Sequence, residues 1–268
     1  MSNLKIYCVT DKKFQFLEDT KLILAAVGNE KFSDRYLKSN EKDNIFYKEK
    51  FYSELTFHYW YWKNILPNEK YEWVGFCQKR RFWIKDVGEE EVKNISQKNL
   101  NKYLLNDIDN SLNNYDSFLC NPIKISGAKK MKLLKRGWKN LIKDPSLLFK
   151  TESINLHFDL HHGYKNLEKA SRVLNDDDRD DFLDFINNND TFNPHIMCIS
   201  RPKILDKWFK DLFVWLKKCE DIFGFDNLIG YDTQRIYAYL AERYLSFWFR
   251  KYTKYLEWKW IFYESKDI

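Results

Sequence analysis

Apolar residues fall into short runs bounded by charge, and strand-like and helix-like spacings alternate along the chain. "KIYCVT" (5–10) and "LILAAVG" (22–28) predict strands, although "KLILAAV" also fits a helix. The polar stretch at 29–44 predicts loop. Between 48 and 66, Tyr52, Leu55, Tyr59, Trp62 and Leu66 recur at intervals of 3, 4, 3 and 4, one face of a helix. Glu54, His58 and Tyr61 form a second face, and Pro67 ends the element. This helix carries both ring surface and groups able to hold a charged ligand. Tyr59 and Trp62 would hold it on the sheet, while Glu54, His58, Lys63 and Asn64 would line a cleft.

"YEWVGFCQKRRFW" (71–83) predicts a buried strand that ends abruptly in Gln78, Lys79, Arg80 and Arg81. An Asn-rich helical segment follows at about 91–114, then an apolar strand, "YDSFLCNPI" (115–123), stopped by Pro122. Residues 124–150 are basic and contain Gly127, Gly137 and Pro145, the pattern of a mobile loop or lid with a short helix. Two helices are expected at 156–174 and 176–188, and a strand at 195–200 between Pro194 and Pro202. Leu205, Trp208, Leu212, Trp215, Cys219 and Ile222 trace a long amphipathic helix, and a final helix spans about 233–252. Strands alternating with helices indicate a mixed α/β sheet built from crossover units. Ligands on such sheets gather at the C-terminal ends of the strands, which directs attention to Gln78–Arg81. With no repeat or linker, residues 1–268 read as a single domain.

Composition sets the outer limits. A hydrophobic share of 44%, with 18% aromatic, is ample for a packed core. No apolar run approaches the ~18 residues of a membrane-spanning helix, and the first residues do not read as a signal peptide. Five cysteines, without metal-ligand spacing, fit buried thiols in a reduced, cytoplasmic protein. Forty-five basic against 39 acidic residues give a net charge of +6, too mild for a dedicated duplex-DNA binder. That excess suits an anionic small molecule or contact with an acidic membrane surface.

Three segments taken together resemble one family. They are "YSELTFHYWYWKN" with "VGFCQKRRF" behind it, "HIMCISRPKILDKWFKDLFVWL", and "QRIYAYLAERYLSFWF". Their order is similar to the bacterial DUF4422 family of capsule and lipopolysaccharide glycosyltransferases, from about Asp43 to Phe249. Glu54, Leu55, Thr56, Tyr59, Trp60, Trp62, Lys63 and Asn64 match its first motif, and Ala241, Glu242 and Arg243 its last. The chain departs from the family pattern at three places. Gln78-Lys79 replaces His-Tyr, Asn193-Pro194-His195-Ile196-Met197 replaces Asn-Met-Phe-Ile-Met, and Asn44-Ile45-Phe46 replaces Asn-Ile-Ser. The resemblance implies a GT-A-like, Rossmann-type mixed sheet flanked by helices. It also implies transfer of a hexose, galactose or galactofuranose, from a UDP-sugar donor to a lipid-linked or oligosaccharide acceptor of a surface polysaccharide.

Such a reaction leaves a diphosphate whose charge must be neutralised. Many nucleotide-sugar transferases place Asp-x-Asp and a divalent metal after a central strand for this purpose. Arg80 and Arg81 stand there instead, with planar forks of donors suited to phosphate oxygens, so the expectation is a site with no metal and no cofactor. The other residues expected on the donor are Thr10, Asn44, Glu54, Lys63, Asn64, Asp232 and Arg235, the last two at a helix N-terminus that favours an anion. Candidates for the base are Asp159, His162 and Glu242. "NDDDRDD" (175–181) reads as helix capping rather than a metal site. Residues 244–268 are a candidate membrane-proximal tail, because ten aromatics and four basic residues interleave between 244 and 263. The same segment supports the rival reading, a non-catalytic nucleic-acid or membrane-surface binding protein. The transferase reading needs no nucleic acid.

Overall fold

The computed structural model describes residues 2–125, 142 and 152–263, so nearly all of the lid expected at 124–150 lies outside the described residues. The strands in chain order are β1 (Leu4–Thr10), β2 (Ile23–Ala26), β3 (Leu37–Lys38), β4 (Trp73–Gln78), β5 (Arg81–Trp83) and β6 (Ser117–Cys120). They continue as β7 (Ile123–Lys124), β8 (Thr191–Phe192), β9 (Cys198–Ser200), β10 (Tyr255–Trp258) and β11 (Trp260–Phe262). The principal helices are α1 (Leu55–Asn64), α2 (Ile154–His162), α3 (Asp176–Asn188), α4 (Pro202–Phe223) and α5 (Ile236–Tyr252).

The main sheet runs β10-β6-β9-β4-β1-β2-β3, a mixed α/β arrangement as expected. Along this path every pairing is parallel except those of β9, which opposes both neighbours, Gly75 facing Ile199 and Leu119 facing Cys198; off the path, β5 pairs antiparallel with β4 and β11 with β5. The start of β9 therefore meets the C-terminal ends of β4 and β6. Side chains alternate across the sheet with period two. Tyr7, Val9, Val74 and Phe76 enter one core with α1, α4 and α5, while Ile6, Cys8, Trp73 and Cys77 enter the other. Burial on both faces accounts for continuous rather than alternating apolar runs in β1 and β4. Gly75 permits close approach in the centre, since a Cβ there would stand 2.8 Å from Ile199 Cγ1. Pro202 opens α4 and Gly224 ends it at φ 56°, the standard asymmetry of helix termini.

Several expected elements change in detail. The opening helix is broken: one turn, Glu49–Tyr52, stops at Ser53 with φ 51°, and α1 begins two residues later. Its supposed polar face is core, because His58 and Tyr61 are buried while Tyr59 and Trp62 are only half-buried. The strand expected at 71–83 is a hairpin, with Lys79 and Arg80 in the turn and Gln78 paired to Arg81. The segment at 91–114 makes only isolated turns, and β9 is shorter than the expected 195–200.

The C-terminal segment is the largest correction. After α5 the chain adds β10 beside β6 and β11 beside β5, so through Tyr263 it is part of the sheet rather than a free tail. Tyr244, Phe247, Trp248 and Phe249 are buried, and Lys251 and Lys259 pair with Asp178 and Asp86. The rings that suggested stacking or membrane contact are largely used in packing. Among the described residues no helix is long and apolar enough to cross a membrane.

Candidate functional site

Parallel strands leave unpaired backbone and turning chain at their C-terminal ends, and here β1 and β4 open a cavity of about 350 Å³. Its floor is the β4–β5 turn. Gln78 Nε2 donates to Glu54 Oε1 at 2.6 Å and to the His195 carbonyl at 3.2 Å. Gln78 Oε1 accepts from Arg81 Nη1 at 2.9 Å. Arg80 and Arg81 lie 5.5 and 5.3 Å from the Phe262 ring centre. The Nε groups of both arginines are buried with no hydrogen-bond partner. Burial pulls the Arg81 pKa down, and Glu242 and Glu54 partly offset this, leaving the guanidinium well within its charged range.

The facing wall comes from the start of α5 and the turn before β9. Glu242 Oε1 accepts the His195 backbone N–H at 2.6 Å, and Oε2 accepts from Arg243, which is 2% exposed and lies 4.0 Å over Phe192. Burial opposes ionisation of Glu242, yet Arg243 and His195 hold its carboxyl below the usual range. Asp11, just past β1, is ion-paired with Lys79, and burial works against an otherwise depressed pKa. Lys12, Lys79, Arg80, Arg81 and Arg235 face Asp11, Glu54 and Glu242, an excess of two positive charges. That balance fits a dianionic ligand.

Backbone strain concentrates on the same cavity. Ser53, His195 and Ile196 adopt φ of 51°, 73° and 46°, a left-handed conformation that non-glycine residues rarely hold, and all three line it. Each such residue costs about 1–3 kcal/mol and persists only where surrounding contacts impose it. Among the described residues, no cluster of three or more His, Cys, Asp or Glu is grouped as a metal site.

The profile of DUF4422, described as a domain of unknown function, matches residues 5–254. The chain belongs to the DUF4422 family. A search of curated proteins found no match. Among solved structures, the apo structure of the WbbM bifunctional glycosyltransferase is similar, with a TM-score of 0.67 and 18% identity. The likeness covers 99% of this chain and 46% of that one, so the present chain spans less than half of its neighbour's length. At this identity the likeness establishes the fold.

Of the residues expected in the site, this DUF4422 chain brings Thr10, Glu54, Arg80, Arg81, Arg235 and Glu242 onto one cavity. Thr10 also ties its own turn, donating to the Lys12 carbonyl at 2.5 Å. The rest lie off it. Asn44 accepts from the Phe46 amide at 3.0 Å and Asn64 donates to the Asp43 carbonyl at 2.8 Å, so both shape the loop before α1. Lys63 is exposed, its ammonium 3.5 Å from the Trp62 ring centre. Asp159 is buried at the end of α2 and accepts the Lys165 amide at 2.7 Å, which secures the following turn. His162 donates Nδ1–H to the Asp232 carbonyl at 2.8 Å and stacks at 3.8 Å on Tyr239, which lines the cavity. His162 and Asp232 therefore support the wall from behind. Asp11, Lys79, Ser53, His195, Tyr231 and Tyr239 are cavity residues that the expected site omitted. Applying the strand-end rule to β1 would have found Asp11; nothing local marks His195.

Proposed function

We propose that this protein is a hexosyltransferase that moves galactose, as pyranose or furanose, from UDP to a hydroxyl of a lipid-linked or oligosaccharide acceptor in surface-polysaccharide synthesis. The observation that carries the reading is the pair of arginines at the end of a central strand, with buried, unpartnered Nε groups in a cavity of cationic excess. As the glycosidic bond to phosphate breaks, negative charge grows on the diphosphate. Arg80 and Arg81 supply fixed positive charge and forked donors at that position. Arg235 and the N-terminus of α5 add partial charge of the same sign from the facing wall. In this reading the arginines take the part that a divalent metal has in many related enzymes, and no cofactor is needed. The choice of UDP and galactose rests on the family resemblance, as does the surface-polysaccharide acceptor, and the reaction would take place on the cytoplasmic side.

The test is thermal unfolding with UDP, GDP and CMP, each with EDTA or with Mn²⁺, followed by release of UDP from a panel of UDP-sugars. A ligand at a hundred times its Kd stabilises the native state by about 2.7 kcal/mol, an effect easily read. The expected result is a shift with UDP that persists in EDTA, and the fastest release from a galactose donor. No shift with UDP, or turnover that EDTA abolishes and Mn²⁺ restores, overturns the corresponding half of the reading. The rival binding-protein reading drew on rings between 244 and 263, and most of the helical part of that ring surface is core.

A further inference from the structure

Building on the transferase reading above, we infer that His195 takes the acceptor's proton and that Glu242 positions it for that task. Among the described residues, the acids and histidines lining the cavity are Asp11, Glu54, His195 and Glu242. Each of the three acids already has at least one oxygen engaged. Asp11 accepts from Lys79, and Glu54 accepts from Gln78 at 2.6 Å. Glu242 uses one oxygen on the His195 amide at 2.6 Å and the other on Arg243. The His195 imidazole makes no hydrogen bond among the described residues, and its side chain is 21% exposed. Its Nδ1 stands 3.6 Å from Glu242 Oε1, and the edge of its ring system meets Trp260 at 5.0 Å between centres. A carboxylate beside Nδ1 favours the tautomer with its proton there, leaving the Nε2 lone pair to accept one.

The backbone provides a second observation. Two consecutive left-handed residues, His195 and Ile196, would relax to an extended entry into β9 if nothing held them. The Glu242 bond to the His195 amide fixes the first of them, so one carboxylate sets both the backbone and the ring. Sequence logic selected Glu242 itself as a base. Its partners make it the orienting member of the pair.

The step balances without a further reactant. The acceptor oxygen forms a bond to the anomeric carbon, and the bond from that carbon to phosphate breaks. The bonding pair leaves with UDP while the hydroxyl proton passes to Nε2 and later to solvent. This is an inverting displacement. The charged groups facing His195 are Glu242 on α5, which favours protonation, and Arg81 on β5 and Arg243 on α5, which oppose it. Burial is the largest influence, and the net result holds the ring at about 4, hence neutral and able to accept at pH 7. A bound diphosphate offsets Arg81, so donor binding moves the ring's affinity for a proton upward.

The experiment compares the native protein with His195→Asn, because asparagine tolerates a left-handed backbone. With UDP-sugar and acceptor, kcat is expected to fall about 10²- to 10⁴-fold with little change in donor KM, and the acid limb of the pH profile to disappear. UDP should shift the thermal midpoint of both proteins equally. In ¹⁵N spectra of the native imidazole, saturating UDP should raise the pH at which His195 titrates. Turnover within about threefold of native with an unchanged acid limb, or retained configuration at the anomeric carbon, overturns the assignment while leaving the transferase reading in place. A native protein that fails to bind UDP overturns the donor reading, and this inference with it.

Discussion

Two buried polar regions flank α5, and they are built on opposite terms. On one side, Asp178 of α3 is fully buried and both of its carboxylate oxygens find partners. Its oxygens accept from Tyr244 at 3.0 Å, Tyr252 at 2.6 Å and Asn175 at 3.2 Å, and Lys251 lies at 3.0 Å. On the other side, the cavity holds two arginines with unpartnered Nε groups and three residues in left-handed conformations. Burial works against ionisation of Asp178, yet these donors hold its carboxyl below the usual range. The first region is satisfied by the protein itself, whereas the second holds unused hydrogen-bonding capacity and strain. Polar groups that a fold leaves unsatisfied mark where something else is meant to bind.

Breaking the satisfied region should have the largest effect. Asp178→Ala strands two tyrosine hydroxyls, while Lys251 keeps Asp181 at 2.7 Å, and is expected to lower stability by about 2–4 kcal/mol in urea unfolding. UDP affinity of the folded fraction should be unchanged. Arg81→Ala is the mirror experiment. It should leave the urea midpoint unchanged or slightly raised, and weaken UDP binding by about 1.5–3 kcal/mol, or roughly ten- to a hundred-fold. Lysine at position 81 should restore only part of that, since a point charge lacks the forked geometry. Equal UDP affinity in native and Arg81→Ala protein would assign that guanidinium to the same structural role as the Asp178 group.

Acid should separate buried histidines from buried carboxylates. Burial lowers His58 and His162 to about 3, so as pH falls below the ordinary value near 6.5 the unfolded chain takes up protons that the native chain refuses. Their contribution is complete above that value and is lost on acidification, by about 2 kcal/mol each at pH 5. His58→Leu should therefore flatten the decline of the urea midpoint between pH 7 and 5. The carboxylates of Asp178 and Glu242 sit below their usual range and contribute to the decline only at lower pH. Relief of strain gives a smaller change. Ser53→Gly should raise stability by up to ~1 kcal/mol, because glycine adopts positive φ freely, and should blur the α1 entry that sets Glu54. Lys63→Ala is expected to change neither midpoint nor UDP affinity, since its ammonium lies outside, over Trp62.

Much of this contrast was legible in the chain. The run of buried residues ending in Gln78–Arg81 located the cavity floor, and the Ala241-Glu242-Arg243 match located its facing wall. Capping explains "NDDDRDD" as expected, for Asn175 accepts the Asp178 amide at 2.8 Å and opens α3. The misplacements share a physical origin. His58 and Lys63 sit on a helix whose apolar residues surround nearly all of it, so no periodicity could say which polar residue faced the cavity. Asp159 and His162 gave a plausible acid–base pair by spacing, but both are held by backbone groups of later loops.

Sequence alone determined what depends on neighbours a few residues apart: the buried strands, the long α4 face with Pro202 and Gly224 at its ends, and the cationic terminus of β4. Tertiary structure decided what depends on segments meeting across the sheet. It inserted β9 against the direction of its neighbours, which carries His195 to Glu242, 47 residues away in the chain. It also turned the aromatic C-terminal segment into part of a helix core and two strands, because each ring buried there removes apolar surface from water that no local pattern could assign to a partner.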